Sequence, residues 1–218
     1  MICYVHSYKA REAEKDGKPL MLADRIILLR SELTHSEFQF SPRYECLSFS
    51  FTLADGANGA RFKHIEYSHP NRWETIALPF TDEEEDLCFL MACILADRNK
   101  HFYTTINFGG TITATFDYGT KETTFKNDTI YQGPNHWRYD TKGLLTHALK
   151  KSGTWWMDIL RGSLWCWTAL IKPHMKKAWC SEGVAMVIKK AWPDFDGSPD
   201  KLDPQELDTE LRNYKRPF

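Results

Sequence analysis

The sequence predicts an α+β fold in which an antiparallel sheet packs on helices. Two stretches alternate between apolar and polar residues, 34–40 and 47–51, and this period of two predicts neighbouring strands. Two other stretches, 81–97 and 180–190, carry apolar residues at the spacing of a helix that buries one face. Strands that follow one another closely favour an antiparallel hairpin, because a two- to five-residue turn can join them.

Length and composition are those of an ordinary soluble globular protein. The 218 residues suit one domain, which can bury roughly 70–75% of the surface its unfolded chain exposes. A net charge of −1 argues against nucleic acid as the main partner, since phosphate binding needs a clustered basic surface. No apolar stretch approaches the ~18 residues of a membrane span, and the first residues lack a secretory pattern, so we expect a cytoplasmic protein.

The stretch at residues 23–40 is predicted to form strands. A short apolar run at residues 26–29 is typical of a buried strand. The alternation that follows places His35 and Glu37 on the face opposite to Phe38.

A second strand is predicted after turn residues at 41–43, with Ser48 and Ser50 on the same face as the histidine. A four-residue loop would pair Glu37 with Ser48 and His35 with Ser50, whereas a two-residue loop would pair His35 with Ser48. Either register leaves the phenylalanines on one face. The other face could then form the floor of a substrate groove.

Further elements follow the hairpin. Residues 61–67 and 73–78 resemble additional strands of the same sheet, and β-propensity is also high at residues 101–117. The helix at residues 81–97 opens with a threonine cap and an acidic first turn, and residues 203–204 (Asp-Pro) begin another helix.

Cys180 stands at the first turn of the helix predicted over residues 180–190, which Pro193 ends. The first amides of a helix lack internal partners, and the helix dipole places partial positive charge there. These effects can lower the pKa of a cysteine into the range of ~3.5–7.5, which makes it a nucleophile near neutral pH. The alternative is a small buried hydrophobic residue.

A cysteine nucleophile needs a base and a group that orients the base. His35 is the candidate base, and His174, near Cys180 in the chain, is its rival. The candidates for the orienting group are Glu37, Ser48, Ser50 and Glu45. We expect no cofactor, because Cys88 and Cys93 lack the nearby histidines that zinc-site spacing requires.

Several segments together resemble a known family. They are residues 23–27 leading into 34–38, residues 48–51 and 55–63, the YDTKG stretch at 139–143, WCSE at 179–182, and residues 198–202. In this order they resemble the circularly permuted, NlpC-type branch of papain-like cysteine hydrolases, in the version found in bacteriophage genomes. Residues 101–137 have no counterpart and are interpreted as an insertion into a single domain, residues 1–218.

The resemblance implies a permuted papain-like fold in which the histidine strand precedes the nucleophile helix. It also implies that Cys180 and His35 form the catalytic pair, with the third member on or just beyond the strand beside the histidine strand. The Cβ atoms of His35 and Glu37 would lie ~6–7 Å apart, which is long for a direct hydrogen bond. Cross-strand neighbours lie ~4.5–5.5 Å apart, so Ser48, Ser50 or Glu45 is favoured, although alternation puts Glu45 on the phenylalanine face.

The expected function is a cysteine hydrolase that cleaves an amide or isopeptide bond through an acyl-thioester. Its substrate would be a peptide, an isopeptide-linked protein or an acyl compound, met in the host-cell cytoplasm if the protein is phage-encoded. One alternative is a catalytically silent papain-like module that binds a host protein. Another is a thiol acyltransferase or lipid esterase, which would share the nucleophile.

Overall fold

Five antiparallel strands form the main sheet within the described residues of this α+β protein. Their spatial order is β4 (Gly59–Lys63), β3 (Ser48–Thr52), β2 (His35–Gln39), β1 (Ile2–Tyr8) and β5 (Trp73–Pro79). The computed structural model describes residues 1–28, 31–53, 57–67, 69–97, 103–108, 112–117, 123–125, 130, 132–141, 177–195, 197 and 202–214.

Helices and two smaller sheets complete the described part of the chain. The helices are α1 (Ala10–Lys15), α2 (Leu22–Ile27), α3 (Asp82–Leu95), α4 (Cys180–Ala191) and α5 (Pro204–Asn213). One small sheet is antiparallel and contains β6 (Tyr103–Phe108), β7 (Ile112–Asp117) and β8 (Thr123–Phe125). The other is a parallel pair of β9 (Arg138–Tyr139) and β10 (Lys177–Ala178). No helix in the described ranges is long and apolar enough to cross a membrane.

The core lies on the phenylalanine face of the main sheet. Phe38, Phe49 and Phe62 stand side by side across β2, β3 and β4, and all three are fully buried. Phe89 of α3 packs against this row, with its ring centroid 5.6 Å from that of Phe62. The alternation therefore places the phenylalanines in the core, as predicted, because the apolar face is the one that the helices cover.

Helix ends follow the capping residues of the sequence. Thr81 caps α3 by accepting a hydrogen bond from the Glu84 amide, and the Glu84 carboxylate accepts one from the Thr81 amide. Asp203 and Glu206 make the same reciprocal bonds at the start of α5. These contacts satisfy amides that the helix itself leaves without acceptors. The predictions for these helix starts are confirmed.

The predicted strand at residues 26–29 is wrong where the structure describes it, because residues 26 and 27 belong to α2 and residue 28 is in a turn. The Asp24 carboxylate accepts a hydrogen bond from the Met21 amide at 3.1 Å, and the Leu28 amide donates to the Asp24 carbonyl at 2.8 Å. An apolar run of four residues does not distinguish a buried strand from a short helix. The acidic residue in the first turn is the local signal that favours the helix.

Both predicted registers of the β2–β3 hairpin are wrong. Phe38 pairs with Phe49, and the Phe40 amide donates to the Leu47 carbonyl, so the loop covers residues 41–46. This loop holds a short 3-10 helix, Pro42–Tyr44, followed by two residues with positive φ. The observed register differs from both predictions by an even number of residues. Each side chain therefore keeps its predicted face.

Strand β1 lies between β2 and β5, although the sequence analysis did not predict it. His6 pairs with Glu37 on one side and with Thr75 on the other. Cys3 and Val5 are fully buried in the core. The strand predicted at residues 73–78 is confirmed as β5. The strand predicted at residues 61–67 is confirmed only in its first three residues, since β4 ends at Lys63, and part of the stretch at 101–117 forms β6 and β7.

Candidate active site

A cavity of about 490 Å³ opens on the polar face of the main sheet. His35, Glu37 and Arg61 contribute polar groups to its wall. Much of the remaining lining is apolar or aromatic, and includes Tyr8, Met21, Leu53, Ile65 and Trp73. Lys18, Asp24, Lys63 and Glu66 add charged groups to the lining, so the cavity suits a ligand that has both apolar and polar parts.

His35 and Glu37 form a direct hydrogen bond inside this wall. Nε2 of His35 lies 2.6 Å from Oε1 of Glu37. The glutamate is 1% exposed, whereas the histidine exposes 19% of its side chain. The Cβ separation that argued against this contact is overcome by the length of the glutamate side chain, which reaches back along its own strand.

Arg61 holds the other side of the same carboxylate. Its Nη1 donates to Oε2 of Glu37 at 2.9 Å and its Nη2 donates to Oε1 at 2.6 Å. This two-pronged contact matches the planar geometry of guanidinium and carboxylate. Arg61 is 2% exposed, so both charges are withdrawn from water and depend on each other.

Burial and charge act in opposite directions on the titration of this pair. Burial alone would raise the pKa of Glu37, but the charges of Arg61 and His35 prevail and lower it from 4.5 to about 2. Burial would likewise lower the pKa of His35, but the negative charges of Glu37 and Cys180 raise it from 6.5 to about 10. At neutral pH the histidine is therefore an imidazolium, with the Glu37 carboxylate on one side and the Cys180 sulfur on the other.

Cys180 begins α4 and makes a side-chain hydrogen bond with His35. The cysteine and the histidine are thus brought together, although they lie far apart in the chain. The Cys180 side chain is fully buried, and among the described residues the cavity wall is formed by its neighbours rather than by Cys180 itself. His35 therefore lines the cavity, whereas the Cys180 sulfur that it contacts does not.

The start of α4 is anchored by contacts to residue 202. The Trp179 indole donates to the Leu202 carbonyl at 2.9 Å, and the Ser181 hydroxyl donates to the same oxygen at 2.6 Å. The Glu182 carboxylate accepts a hydrogen bond from the Trp179 amide at 3.3 Å. These bonds fix the residues on both sides of Cys180 and hold its backbone in place.

Tyr139 is a site residue that the sequence analysis did not select. It lines the cavity, is 8% exposed, and its hydroxyl makes a hydrogen bond with Cys180. The pairing of β9 with β10 explains the contact, because Ala178 stands beside Tyr139 two residues before Cys180. Burial, with the charge of Cys180, raises the pKa of Tyr139 well above its ordinary value, so the phenol stays protonated.

The other candidates for the orienting group do not contact His35 through any hydrogen bond described for them. The Ser48 hydroxyl lies 2.9 Å from the Tyr67 hydroxyl, and the Ser50 hydroxyl donates to the Ser36 carbonyl at 2.5 Å. Glu45 is exposed in the hairpin loop with φ of 54°. Among the hydrogen bonds described for these candidates, the one to His35 comes from Glu37 on the same strand and not from the neighbouring strand.

Several predictions fall partly or wholly outside the described residues. His174, the rival base, lies there, and so do residues 55–56, 142–143 and 198–201 of the resembling segments. Among the residues that the structure does describe, no group of three or more His, Cys, Asp and Glu side chains could hold a metal ion.

The arrangement supports acid–base chemistry on a thiol. An imidazolium beside a sulfur stabilises the thiolate, and a buried carboxylate on its far side stabilises the imidazolium. The helix dipole of α4 adds partial positive charge at the sulfur.

A search of protein-family models, of curated proteins and of solved structures finds no match for this chain.

Proposed function

We propose that the protein is a cysteine hydrolase that cleaves an amide or isopeptide bond through an acyl-thioester. The observation that carries this proposal is the buried chain of contacts from Glu37 to His35 to Cys180 at the first turn of α4. Three groups in this order meet the requirements for a nucleophile, its base and an orienting group.

In the proposed reaction the thiolate of Cys180 attacks the carbonyl carbon, and the carbonyl electrons move onto oxygen. When this intermediate collapses, the carbon–nitrogen bond breaks, and His35 gives a proton to the leaving amine. Nε2 of His35 is bonded to Glu37, so Nδ1 is the nitrogen that transfers the proton. The product of this half-reaction is a thioester between the acyl group and Cys180.

Water then resolves the thioester. The neutral imidazole of His35 removes a proton from water, the oxygen adds to the carbonyl carbon, and the carbon–sulfur bond breaks to release a carboxylic acid. The backbone amide of Cys180 stands at the start of a helix, where it is suited to hold the negative oxygen. The protonated Tyr139 hydroxyl is a second donor beside the sulfur.

The proposed fold is a permuted papain-like domain. It is supported by the order of the elements, since the histidine strand β2 precedes the cysteine helix α4. It is also supported by the packing of α4 on the phenylalanine face of β3, where a Cβ on Gly183 would meet the Phe51 ring at 2.2 Å. We place the activity in the cytoplasm, and in the host cell if the chain is phage-encoded.

An electrophile and substrate screen tests the proposal. Peptide, isopeptide and acyl-ester probes are incubated with the wild-type protein and with Cys180→Ala, His35→Ala and Cys46→Ala. Cys46 is exposed and lies in the hairpin loop, so its variant is the matched control. We expect turnover with at least one probe, loss in the first two variants, and no change in the third. Turnover that survives Cys180→Ala contradicts the proposal.

A catalytically silent module that binds a host protein is the second candidate, and the full burial of Cys180 favours it. The pH dependence of iodoacetamide labelling separates the two, because burial limits the absolute rate at Cys180 in either case. In a hydrolase the rate at Cys180 holds from pH 7 to pH 6, where the rate at the exposed Cys46 falls, since the thiolate is the reactive form. A rate at Cys180 that falls with pH as steeply as that at Cys46 supports the silent module.

The apolar lining of the cavity favours a third candidate, an acyltransferase or lipid esterase. The rings of Trp73 and Tyr8 pack at a tilt with 4.8 Å between their centroids, and Met21, which lines the same cavity, is 49% exposed. Such a wall suits an acyl chain as well as an apolar side chain. Release of the thioester by an added amine or alcohol in place of water identifies the transferase.

A further inference from the structure

We propose that Arg61 is a positioning residue for the reaction, which acts on His35 and Cys180 through the carboxylate of Glu37. This inference rests on the proposed function. Arg61 lies on β4, two strands away from His35 on β2. The contacts run from Arg61 to Glu37, from Glu37 to His35 and from His35 to Cys180.

The path of Arg61 across the sheet depends on a small residue between the strands. Ser50 on β3 pairs with Arg61. The Ser50 hydroxyl bonds to the Ser36 carbonyl, which directly precedes Glu37. A serine here leaves room for the long side chain of Arg61 to pass over β3 and reach the carboxylate on β2.

The carboxylate of Glu37 is surrounded by few groups that could replace Arg61. His6 of β1 pairs with Glu37, but burial lowers the pKa of His6, so it does not supply a full charge at neutral pH. Tyr67, which stacks on His6, is protonated because burial raises its pKa. Among the described residues, the other cation that acts on Glu37 is His35, and it is the group whose charge Glu37 must support.

Removal of Arg61 is therefore expected to reduce the fraction of Cys180 that is present as a thiolate at low pH. Without its guanidinium, burial raises the pKa of Glu37, and the glutamate becomes protonated as the pH falls. A neutral Glu37 supports the imidazolium less, so the pKa of His35 falls and the ion pair with the thiolate is lost. The acid limb of Cys180 alkylation then moves to higher pH.

The test measures iodoacetamide alkylation of Cys180 between pH 4 and 9 by mass spectrometry, in wild type, Arg61→Met and Arg61→Lys. We expect the acid limb of the Arg61→Met profile to move to higher pH by at least one pH unit. At a fixed pH on that limb, the alkylation rate should fall about tenfold. Arg61→Lys keeps the charge without the two-pronged contact and is expected to fall between the two. Arg72→Met is the control, because Arg72 is 9% exposed and pairs with Asp16 instead.

A second background keeps the test decisive if Arg61→Met folds poorly. Glu37→Gln and the double variant Arg61→Met/Glu37→Gln remove the buried charge together with its partner. If Arg61 acts through Glu37, adding Arg61→Met to Glu37→Gln leaves the alkylation profile unchanged. A further shift of the profile in that background overturns the inference.

The outcomes also separate this role from the proposed function. If Cys180 of the wild-type protein is alkylated at low pH as expected, and Arg61→Met shows the same acid limb, the role of Arg61 alone is overturned. If the pH profile of Cys180 alkylation in the wild-type protein matches that of Cys46, both the proposed function and the role of Arg61 are overturned. A loss of protein stability in Arg61→Met with an unmoved profile assigns Arg61 to structure and overturns the positioning role.

Discussion

The Tyr139 hydroxyl places a neutral hydrogen-bond donor beside the sulfur of Cys180. We expect Tyr139→Phe to lower kcat by roughly 10²-fold, the lower end of the loss seen when one oxyanion donor is removed. The Michaelis constant should change little, because the contact strengthens as negative charge develops. The measurement is steady-state turnover of the best probe substrate.

The control for this variant is Tyr44→Phe. Tyr44 also donates its hydroxyl to a partner, the Asp86 carboxylate, but the contact lies in the hairpin loop and outside the cavity. An unchanged kcat in Tyr139→Phe would remove the tyrosine from the proposed mechanism while leaving Cys180 and His35 in it.

At the scale of residues, the sequence was informative about Cys180 and His35 but not about their support. A cysteine at a capped helix start and a histidine on an alternating strand are local patterns. Cβ spacing alone argues against the contact between His35 and Glu37, because it neglects the reach of a glutamate side chain. Arg61 and Tyr139 depend on strand order and on the β9–β10 pair, and neither is visible in local spacing.

At the scale of elements, the position of α4 depends on its close approach to β3. A Cβ added at Gly183 would lie 2.2 Å from the ring of Phe51, which is fully buried. Gly183→Ala is therefore expected to destabilise the protein by about 1–3 kcal/mol, as overpacking of a core does. It should also reduce turnover, because the displaced helix carries Cys180 away from His35.

Urea denaturation and turnover measure the two effects of Gly183→Ala. Lys190→Ala on the same helix is the control, since Lys190 is exposed and a surface change of this kind stays within about 0.5 kcal/mol. Wild-type stability in Gly183→Ala would mean that α4 does not pack against β3 as closely as described.

The elements that matched their predictions are those with a strong local signal at an end. Thr81 and Asp203 begin helices that form where expected, because side-chain caps act within one turn. The apolar run at residues 26–29 has no such signal at its end, and its first two residues lie in α2 instead of the predicted strand. Strand β1 pairs with β2 and β5, and long-range pairing of this kind is not encoded in the strand itself.

At the scale of the whole molecule, the buried pair makes folding stability depend on pH. The pKa of Glu37 is lowered from 4.5 to about 2, so its stabilising contribution is present above pH 4.5 and is lost as the pH falls toward 2. The pKa of His35 is raised from 6.5 to about 10, so its contribution is complete below pH 6.5 and is lost as the pH rises toward 10.

We therefore expect the contribution of this pair to the free energy of unfolding to be greatest between pH 4.5 and 6.5. The check is urea denaturation from pH 3 to 9 in wild type, His35→Gln and Glu37→Gln. His35→Gln should lose the decline on the alkaline side. Glu37→Gln should lose the decline on the acid side and weaken the alkaline one, because Glu37 also raises the pKa of His35. Glu12→Gln, in a surface pair with Lys15, should follow the wild type. Parallel curves for all four proteins would contradict the assigned charges.

The sealed position of the Cys180 sulfur has a kinetic consequence for any reagent that reacts with it. A group that no solvent touches in the resting protein can be reached only during an opening motion, so the frequency of that motion sets a ceiling on the rate. Small electrophiles need a smaller opening than bulky ones. Cys180 should therefore discriminate between them by size, whereas Cys46, open to solvent in its loop, should treat them alike.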